Sequence, residues 1–275
     1  MSAGSVLYTA AGGAWPSWLL HVESHGALVL AFTRRTGGVS AGPYGPAPGD
    51  DRPLGLNLAA GIDDEPGAVS TNRDQVCAGF GLPGSAFSST DQVHGRTVRL
   101  LAVPRASGRA AGGRASQADA QVTREPGVLL AALGADCAPV LLADPLTGWT
   151  AAVHCGRPGL QQGVVPATVS VLAGLGVASS SLIARVGPTI CGACYEVPEA
   201  MADEVAVVVP AARATSRGGT PALDIRAGIL AQLAALEVGD VATVGGCTAE
   251  DSSLYSYRRD RRTGRHAGLV LRVAS

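Results

Sequence analysis

The chain has 275 residues, and its 21 basic residues nearly balance its 22 acidic ones, leaving a formal net charge of −1. Every basic residue is an arginine, which excludes a catalytic Schiff-base lysine and a P-loop lysine. Hydrophobic residues make up 47% of the chain and charged residues 16%, a balance that predicts a folded core rather than disorder.

The predicted elements begin with a strand over 27–33, a helix over 64–79 after the acidic DDEP segment, and two short strands within 86–101. Three apolar runs follow at 127–133, 138–144 and 149–154, and the turn from Asp144 to Gly148 predicts that the last two form a hairpin. The remaining patterns predict helices over 158–172, 198–208 and 225–236, and strands over 182–187, 240–244 and 267–273.

The glycine-rich and proline-rich stretches 41–53 and 104–116 predict loops. Strands mixed with helices and hairpins predict a single α+β domain over residues 1–275, with mixed β-sheets flanked by helices. The sequence contains no run of 18 apolar residues, so no membrane-spanning helix is predicted. Its N-terminus lacks the features of a signal peptide, so we expect a cytoplasmic protein with reduced cysteines.

Polar residues that can bind metals occur where three apolar runs begin or end. They are His94 in DQVHG, Cys137 in GADCAP and His154 in AVHCG. The predicted hairpin places Cys137 and His154 side by side at its open end, whereas spacing alone does not bring His94 to them. Two imidazoles and one thiolate suit Zn²⁺, and three protein ligands leave a position open for water or substrate. Singly, such residues are also common as buried thiols or hydrogen-bonded histidines.

Several segments resemble one protein family. They are DQVHG, ADCAPVLLADP, AAVHCGRPGL and VGPTICGACYEV, with FTRRTGGVSAGPYG upstream and CTAEDSSLYSYRRDRRTGRHAG downstream. They are similar to the YfiH/YlmD-type family over about residues 27–272, which leaves 1–26 as an N-terminal extension. Its members were long called laccase-domain or polyphenol oxidase proteins, and are now described as zinc-dependent purine nucleoside phosphorylases with adenosine deaminase activity.

The resemblance implies that His94, Cys137 and His154 bind the zinc ion. It also implies that the substrates are inorganic phosphate and a purine nucleoside, such as adenosine, inosine, guanosine or methylthioadenosine. The protein is expected to be a monomer or weak homodimer. Where the family has His-Ala-Gly-Trp-Arg-Gly, this chain has His-Cys-Gly-Arg-Pro-Gly at 154–159, so the tryptophan is absent and the arginine lies one position earlier.

Other polar residues are candidates for catalysis and substrate binding. Asp136 and Cys137 are the catalytic candidates. The Asp136 carboxylate could orient a ligand, accept a hydrogen bond from a nucleoside hydroxyl or shuttle a proton. Arg34 follows the first predicted strand and Arg157 follows the His154 segment, and either guanidinium could bind phosphate through two parallel hydrogen bonds.

Two further groups of residues are given structural interpretations. Cys191 and Cys194 form a C-x-x-C pair that lacks a second pair, and we interpret them as buried thiols rather than as a second zinc site. The cluster Arg258, Arg259, Arg261 and Arg262 is interpreted as a solvated loop, because a nucleic-acid partner would require a positive field over the whole domain.

Three alternative functions remain open from the sequence. A copper-dependent, laccase-like polyphenol oxidase would need many imidazoles, whereas the chain has five histidines and no His-x-His pair. Copper could still enter the three-residue site in vitro. A cysteine hydrolase would use Cys137 as nucleophile and His94 or His154 as base. A non-catalytic cell-wall quality-control factor would bind a ligand without turning it over, and metal content and product analysis separate these classes.

Overall fold

The structure is a computed structural model that describes residues 15–46, 49, 54–101 and 116–274. Its strands are β1 (Leu19–His25), β2 (Leu28–Thr33), β3 (Thr36–Ser40), β4 (Phe87–Ser88), β5 (Val98–Leu101), β6 (Ala120–Thr123), β7 (Leu129–Gly134), β8 (Ala138–Ala143), β9 (Thr150–Cys155), β10 (Ile183–Val186), β11 (Arg213–Thr215), β12 (Pro221–Leu223), β13 (Asp240–Thr243) and β14 (His266–Arg272). Its α-helices are α1 (Pro66–Gly79), α2 (Arg157–Gln162), α3 (Val164–Gly174), α4 (Glu199–Val208), α5 (Ile225–Ala235) and α6 (Tyr257–Asp260).

Two mixed sheets form the centre of the fold. The first has the strand order β1-β2-β14-β7-β4, and the second has the order β13-β10-β8-β9-β6-β5. Alternate residues of β7 point to opposite faces, so Leu130 joins a core shared with Leu141 of the second sheet, while Leu129 packs with residues of α1. The outer face of the second sheet is covered by α2, α3 and α5. This arrangement confirms the predicted α+β class with mixed sheets flanked by helices.

The predicted hairpin is confirmed. Strands β8 and β9 pair antiparallel, with Ala138 opposite Cys155 and Ala143 opposite Thr150. Their connecting turn is closed by a hydrogen bond from the Gly148 amide to the Asp144 carbonyl oxygen, at 2.8 Å. All twelve residues of the two strands are buried, which explains their continuous apolar sequence. The register places residue 137 and residue 154 at the open end of the hairpin.

The predicted helix over 158–172 is wrong as a single element. It is divided into α2 and α3 at Gly163, whose φ of 76° is a left-handed conformation that ends one helix before the next begins. Pro158 occupies the second helical position rather than the predicted first, because α2 already begins at Arg157.

Part of the predicted N-terminal extension over 1–26 forms a strand. Residues 19–25 form β1, which pairs antiparallel with β2 at the edge of the first sheet. The predicted loop over 104–116 lies outside the described residues except for Ser116. Of the predicted loop over 41–53, residues 41–46 and 49 are described, and Gly42–Tyr44 form a short 3₁₀ turn. None of the helices in the described part of the chain is both long and apolar enough to cross a membrane.

Candidate metal centre and its cavity

His94, Cys137 and His154 come together from three separate parts of the chain. His94 lies in the loop between β4 and β5, Cys137 in the connection from the first sheet to the second, and His154 near the end of β9. One donor atom from each residue lies within 4.8 Å of the other two. The Cys137 Sγ atom is 3.7 Å from His94 Nε2, and the two imidazole rings meet edge to face at 4.8 Å.

A buried carboxylate that the sequence analysis missed orients this cluster. Asp119 is 1% exposed, and its Oδ1 atom lies 2.9 Å from His154 Nδ1. The same carboxylate accepts hydrogen bonds from the backbone amides of His94 and Gly95, at 2.9 and 2.6 Å. Because His154 Nδ1 is directed to Asp119, the Nε2 atom is free to bind a metal together with the other two residues. This arrangement is common around protein-bound zinc. The only sequence signal for Asp119 is an acidic residue directly before an apolar strand.

The electrostatics of the cluster favour a thiolate. Burial raises the pKa of the Cys137 thiol, but His154 and His94 lower it more, and the result is a pKa of about 6. Burial lowers the pKa of His154, whereas the neighbouring Cys137 and Asp119 raise it to about 9. The pKa of Asp119, which burial would raise, is held below its usual range by His154 and the two amides. The cluster therefore offers the deprotonated sulfur ligand that zinc requires.

The backbone at the cluster is tightly constrained. His94 and Asp136 both have positive φ angles, 62° and 92°, conformations that cost roughly 1–3 kcal/mol for residues other than glycine. Gly156 follows His154 and its neighbour, and a Cβ atom there would lie 2.7 Å from Cys137 Sγ and 2.9 Å from His94 Cδ2. The φ of Gly156 is −91°, a conformation that any residue can adopt. Glycine is therefore required at this position by the lack of space beside the ligands and not by the backbone conformation.

The cluster lies in the wall of a cavity of about 1110 Å³, slightly larger than the usual range for small-molecule sites. Among the described residues, five arginines line it against three acidic residues. The arginines are Arg73, Arg157, Arg258, Arg261 and Arg265. Tyr195 and Tyr257 add aromatic rings, and Ile190, Val197 and Met201 add apolar surface. The cavity can therefore accept an anionic group beside a flat apolar one.

Asp136 faces this cavity, but its carboxylate is already engaged. It accepts hydrogen bonds from the Thr248 hydroxyl at 2.6 Å, the Ser256 hydroxyl at 2.7 Å and the Arg258 amide at 2.6 Å. These contacts connect the segment next to Cys137 with the loop that follows β13. Of the three roles considered for Asp136, they support the orientation of its neighbouring ligand.

The two arginines predicted to bind phosphate lie in different surroundings. Arg157 lines the cavity and lies within hydrogen-bonding reach of the Tyr195 hydroxyl. Arg34 is not among the cavity residues, and its guanidinium donates to the Leu19 carbonyl oxygen and the Ser253 hydroxyl, at 3.3 and 3.4 Å. The structure brings Arg157, but not Arg34, to the cavity that contains the candidate metal centre.

The interpretation of the C-terminal arginines as a solvated loop is wrong for Arg258 and Arg259, which are half-buried in α6, whereas Arg261 and Arg262 are exposed. Arg258 and Arg261 line the cavity, and the Arg258 guanidinium lies 5.0 Å from the centre of the Tyr195 ring. Arg259 donates to the carbonyl oxygens of Thr248, Asp251 and Leu254. Arg258 and Arg259 differ in role because the turn of α6 directs them to different neighbours. A run of arginines in the sequence does not reveal this difference.

The fold and the cluster together define an α+β protein with a three-donor candidate metal centre in the wall of a large cavity. The chain belongs to the family described as "multi-copper polyphenol oxidoreductase laccase", whose model matches residues 29–273. It is 49% identical over 242 residues to a Streptomyces coelicolor protein named purine nucleoside phosphorylase, covering 88% of this chain and 94% of that one. A Mycobacterium tuberculosis protein of the same name is 42% identical, with coverage of 86% and 89%.

Solved structures agree with this assignment. YlmD from Geobacillus stearothermophilus superposes with a TM-score of 0.79 at 27% identity, covering 90% of this chain and 93% of that chain. YfiH from Bacillus licheniformis gives a TM-score of 0.74 at 25% identity, with coverage of 89% and 92%. The resemblance to the YfiH/YlmD-type family is thereby confirmed.

Proposed function

We propose that the protein is a zinc-dependent purine nucleoside phosphorylase that also deaminates adenosine. The observation that carries the proposal is the meeting, in one cavity, of a three-donor zinc set with an excess of guanidinium groups. The names of the Streptomyces and Mycobacterium relatives support the same reaction class. Adenosine, inosine, guanosine and methylthioadenosine are the proposed nucleosides, with inorganic phosphate as the second substrate.

The donor set fits zinc better than a multicopper centre. All five histidines lie in the described residues, and only His94 and His154 belong to the candidate centre. His21 and His25 contact Glu23 instead, and His266 is fully buried on β14. The family description therefore does not extend to the chemistry of this site, because a multicopper centre needs more imidazoles than this cavity holds. When bound, zinc would supply Lewis-acid catalysis at the position left open by its three protein ligands.

Phosphorolysis breaks the bond between C1′ of the sugar and the purine nitrogen and forms a bond from C1′ to a phosphate oxygen. The anion, the sugar and the leaving base must therefore lie in one site with the reacting atoms aligned. Arg157, Arg261 and Arg265 are the proposed phosphate-binding residues, because each lines the same cavity as the three-donor set. Tyr257, which is 52% exposed, is proposed to stack on the purine in place of the absent family tryptophan.

A cysteine hydrolase is the second candidate, because one observation favours it. The Cys137 thiol has a lowered pKa of about 6 and lies 3.7 Å from a histidine nitrogen, as in enzymes with a thiolate nucleophile. Removal of the metal separates the two functions. A cysteine hydrolase keeps its activity when zinc is stripped by a chelator, whereas the proposed phosphorylase loses its activity and regains it on reconstitution.

The test incubates zinc-quantified protein with inosine or adenosine, with and without phosphate, and resolves the products by liquid chromatography. We expect free base and ribose 1-phosphate only when both zinc and phosphate are present, and inosine from adenosine without phosphate. Base release by metal-free protein would overturn the proposal. Arg34→Ala is a comparison variant. In the wild type the Arg34 guanidinium donates to Leu19 and Ser253, so this substitution should leave the ratio of phosphorolysis to deamination unchanged.

A further inference from the structure

A second cluster of metal-binding side chains lies outside the candidate centre described above. The thiols of Cys191, Cys194 and Cys247 and the carboxylate of Glu250 each offer one donor atom, and these four atoms all lie within 4.8 Å of one another. We propose that these residues bind a second zinc ion with a purely structural role. The proposal does not depend on the reaction catalysed in the cavity.

The four residues are presented by two turns of the same form. In the first, the amides of Cys194 and Tyr195 both donate to the Cys191 carbonyl oxygen, at 3.0 Å each. In the second, the amides of Glu250 and Asp251 donate to the Cys247 carbonyl oxygen, at 3.1 and 3.0 Å. Cys247-x-x-Glu250 is therefore the second pair that the C-x-x-C segment lacks in the sequence. Paired ligands on short turns are the usual construction of a closed zinc site.

Distances between the donors agree with a tetrahedral ion. Zinc–sulfur bonds of about 2.3 Å and zinc–oxygen bonds of about 2.0–2.2 Å place a sulfur and an oxygen donor about 3.5–3.7 Å apart, and the Cys194 Sγ atom lies 3.4 Å from Glu250 Oε1. The Cys191 amide donates to Cys247 Sγ at 3.3 Å, a contact that orients a sulfur ligand from outside the metal shell. Four protein donors would complete the coordination shell. The cluster thus corresponds to a structural site, in contrast to the open set of His94, Cys137 and His154.

Nearby arginines compensate the charge of such a site. Three thiolates and one carboxylate around Zn²⁺ carry a net charge of −2, and the Arg217 guanidinium forms an ion pair with Glu250. The Arg226 guanidinium donates to the carbonyl oxygen of Gly246, the residue before Cys247, at 3.1 Å. Cys191 and Cys194 are only half-buried, so the interpretation of this pair as buried thiols is wrong.

The proposed ion would brace the wall of the cavity. The two turns are already joined by a parallel bridge between Thr189 and Cys247. Cys194 directly precedes Tyr195, which lines the cavity. Cys247 directly precedes Thr248, whose hydroxyl donates to Asp136. A metal that links the turns therefore fixes both the aromatic wall and the segment that carries the ligand Cys137.

The test is the zinc content of purified protein from zinc-supplemented cultures, measured by inductively coupled plasma mass spectrometry after desalting. We expect about two ions per chain in the wild type, and about one in either Cys194→Ser or Cys137→Ser, because each variant damages only one site. Cys77→Ala removes a thiol that belongs to neither cluster, and should retain about two ions, as both sets stay intact.

Glu250→Gln covers the case in which the cysteine variant does not fold, because Glu250 lies at the surface. In a chelator competition this substitution should lower the affinity for one of the two zinc ions at least roughly tenfold, since an amide is a poorer zinc ligand than a carboxylate. Zinc content that is the same in wild type and Cys194→Ser would overturn the proposal. A disulfide between Cys191 and Cys194 in peptide mapping of the native protein would also overturn it. A phosphorylase that proves inactive would leave both results unaffected.

Discussion

The substitution Asp119→Asn tests how strongly the buried carboxylate supports the candidate metal centre. It keeps the shape of the side chain but removes its charge and replaces one acceptor oxygen with a donor. In the structure, Oδ1 accepts from His154 Nδ1 and the His94 amide, and Oδ2 accepts from the Gly95 amide at 2.6 Å. An amide nitrogen in either position would face a hydrogen-bond donor.

The expected magnitude follows from these contacts. A hydrogen bond to a charged group contributes about 1.5–3 kcal/mol, and a buried donor left without an acceptor costs a similar amount. Removal of a carboxylate that orients a metal-binding histidine weakens metal affinity by about 10–100-fold. That range corresponds to about 1.4–2.8 kcal/mol, in agreement with the loss of one such contact. We therefore expect zinc affinity at the three-donor site to fall by about 10–100-fold.

The assay is competition for zinc between the protein and a chromogenic chelator, with unfolding by urea measured in parallel. Asp144→Asn is the matched control. Asp144 is also fully buried and accepts from the amides of Leu146 and Thr147, but it lies at the opposite end of the same hairpin. It should lower stability without changing zinc affinity. Zinc affinity in Asp119→Asn within about twofold of the wild type would refute the orienting role, since that is far below the expected loss.

Three further predictions concern the same cavity. The pKa values of Cys137 and His154, about 6 and about 9, mean that zinc displaces at least one proton between these pH values. Its affinity should then rise at least about tenfold per pH unit in competition titrations, whereas a flat profile would contradict the coupling. Gly156→Ala should weaken zinc binding at least roughly tenfold by displacing the sulfur ligand, unlike Gly174→Ala, whose Cβ meets open space. Arg157→Ala should lower kcat/KM for phosphorolysis by about 10–100-fold through loss of a charge-assisted contact, while sparing deamination; equal losses would show a general binding role.

Elements that local patterns determine could be predicted from the sequence. The turn from Asp144 to Gly148 and two apolar runs were enough to predict the β8–β9 pairing, and with it the proximity of Cys137 and His154. The DDEP segment likewise predicted a helix from residue 64, two residues before α1 begins at Pro66. In these cases hydrophobic periodicity and turn chemistry act within a few residues of each other.

Contacts that join distant segments of the chain could not be predicted from the sequence. Spacing could not bring Glu250 to Cys194, because 56 residues separate them. Asp119 resembled an ordinary residue at a strand end, and only the pairing of β6 with β9 places it beneath His154. The break at Gly163 was missed because apolar spacing continues across it, whereas its left-handed conformation divides the helix. Residues that act through the tertiary fold are therefore those that the sequence pattern alone does not reveal.

The most direct measurement of the central claim is the stoichiometry of phosphate consumed to purine released from inosine by the zinc-loaded protein. Phosphorolysis in the cavity of His94, Cys137 and His154 requires one phosphate for each purine. Cys137→Ser should abolish phosphate consumption and purine release together. Purine release without phosphate consumption, or full turnover by Cys137→Ser, would contradict the assignment of a metal-dependent phosphorylase to this site.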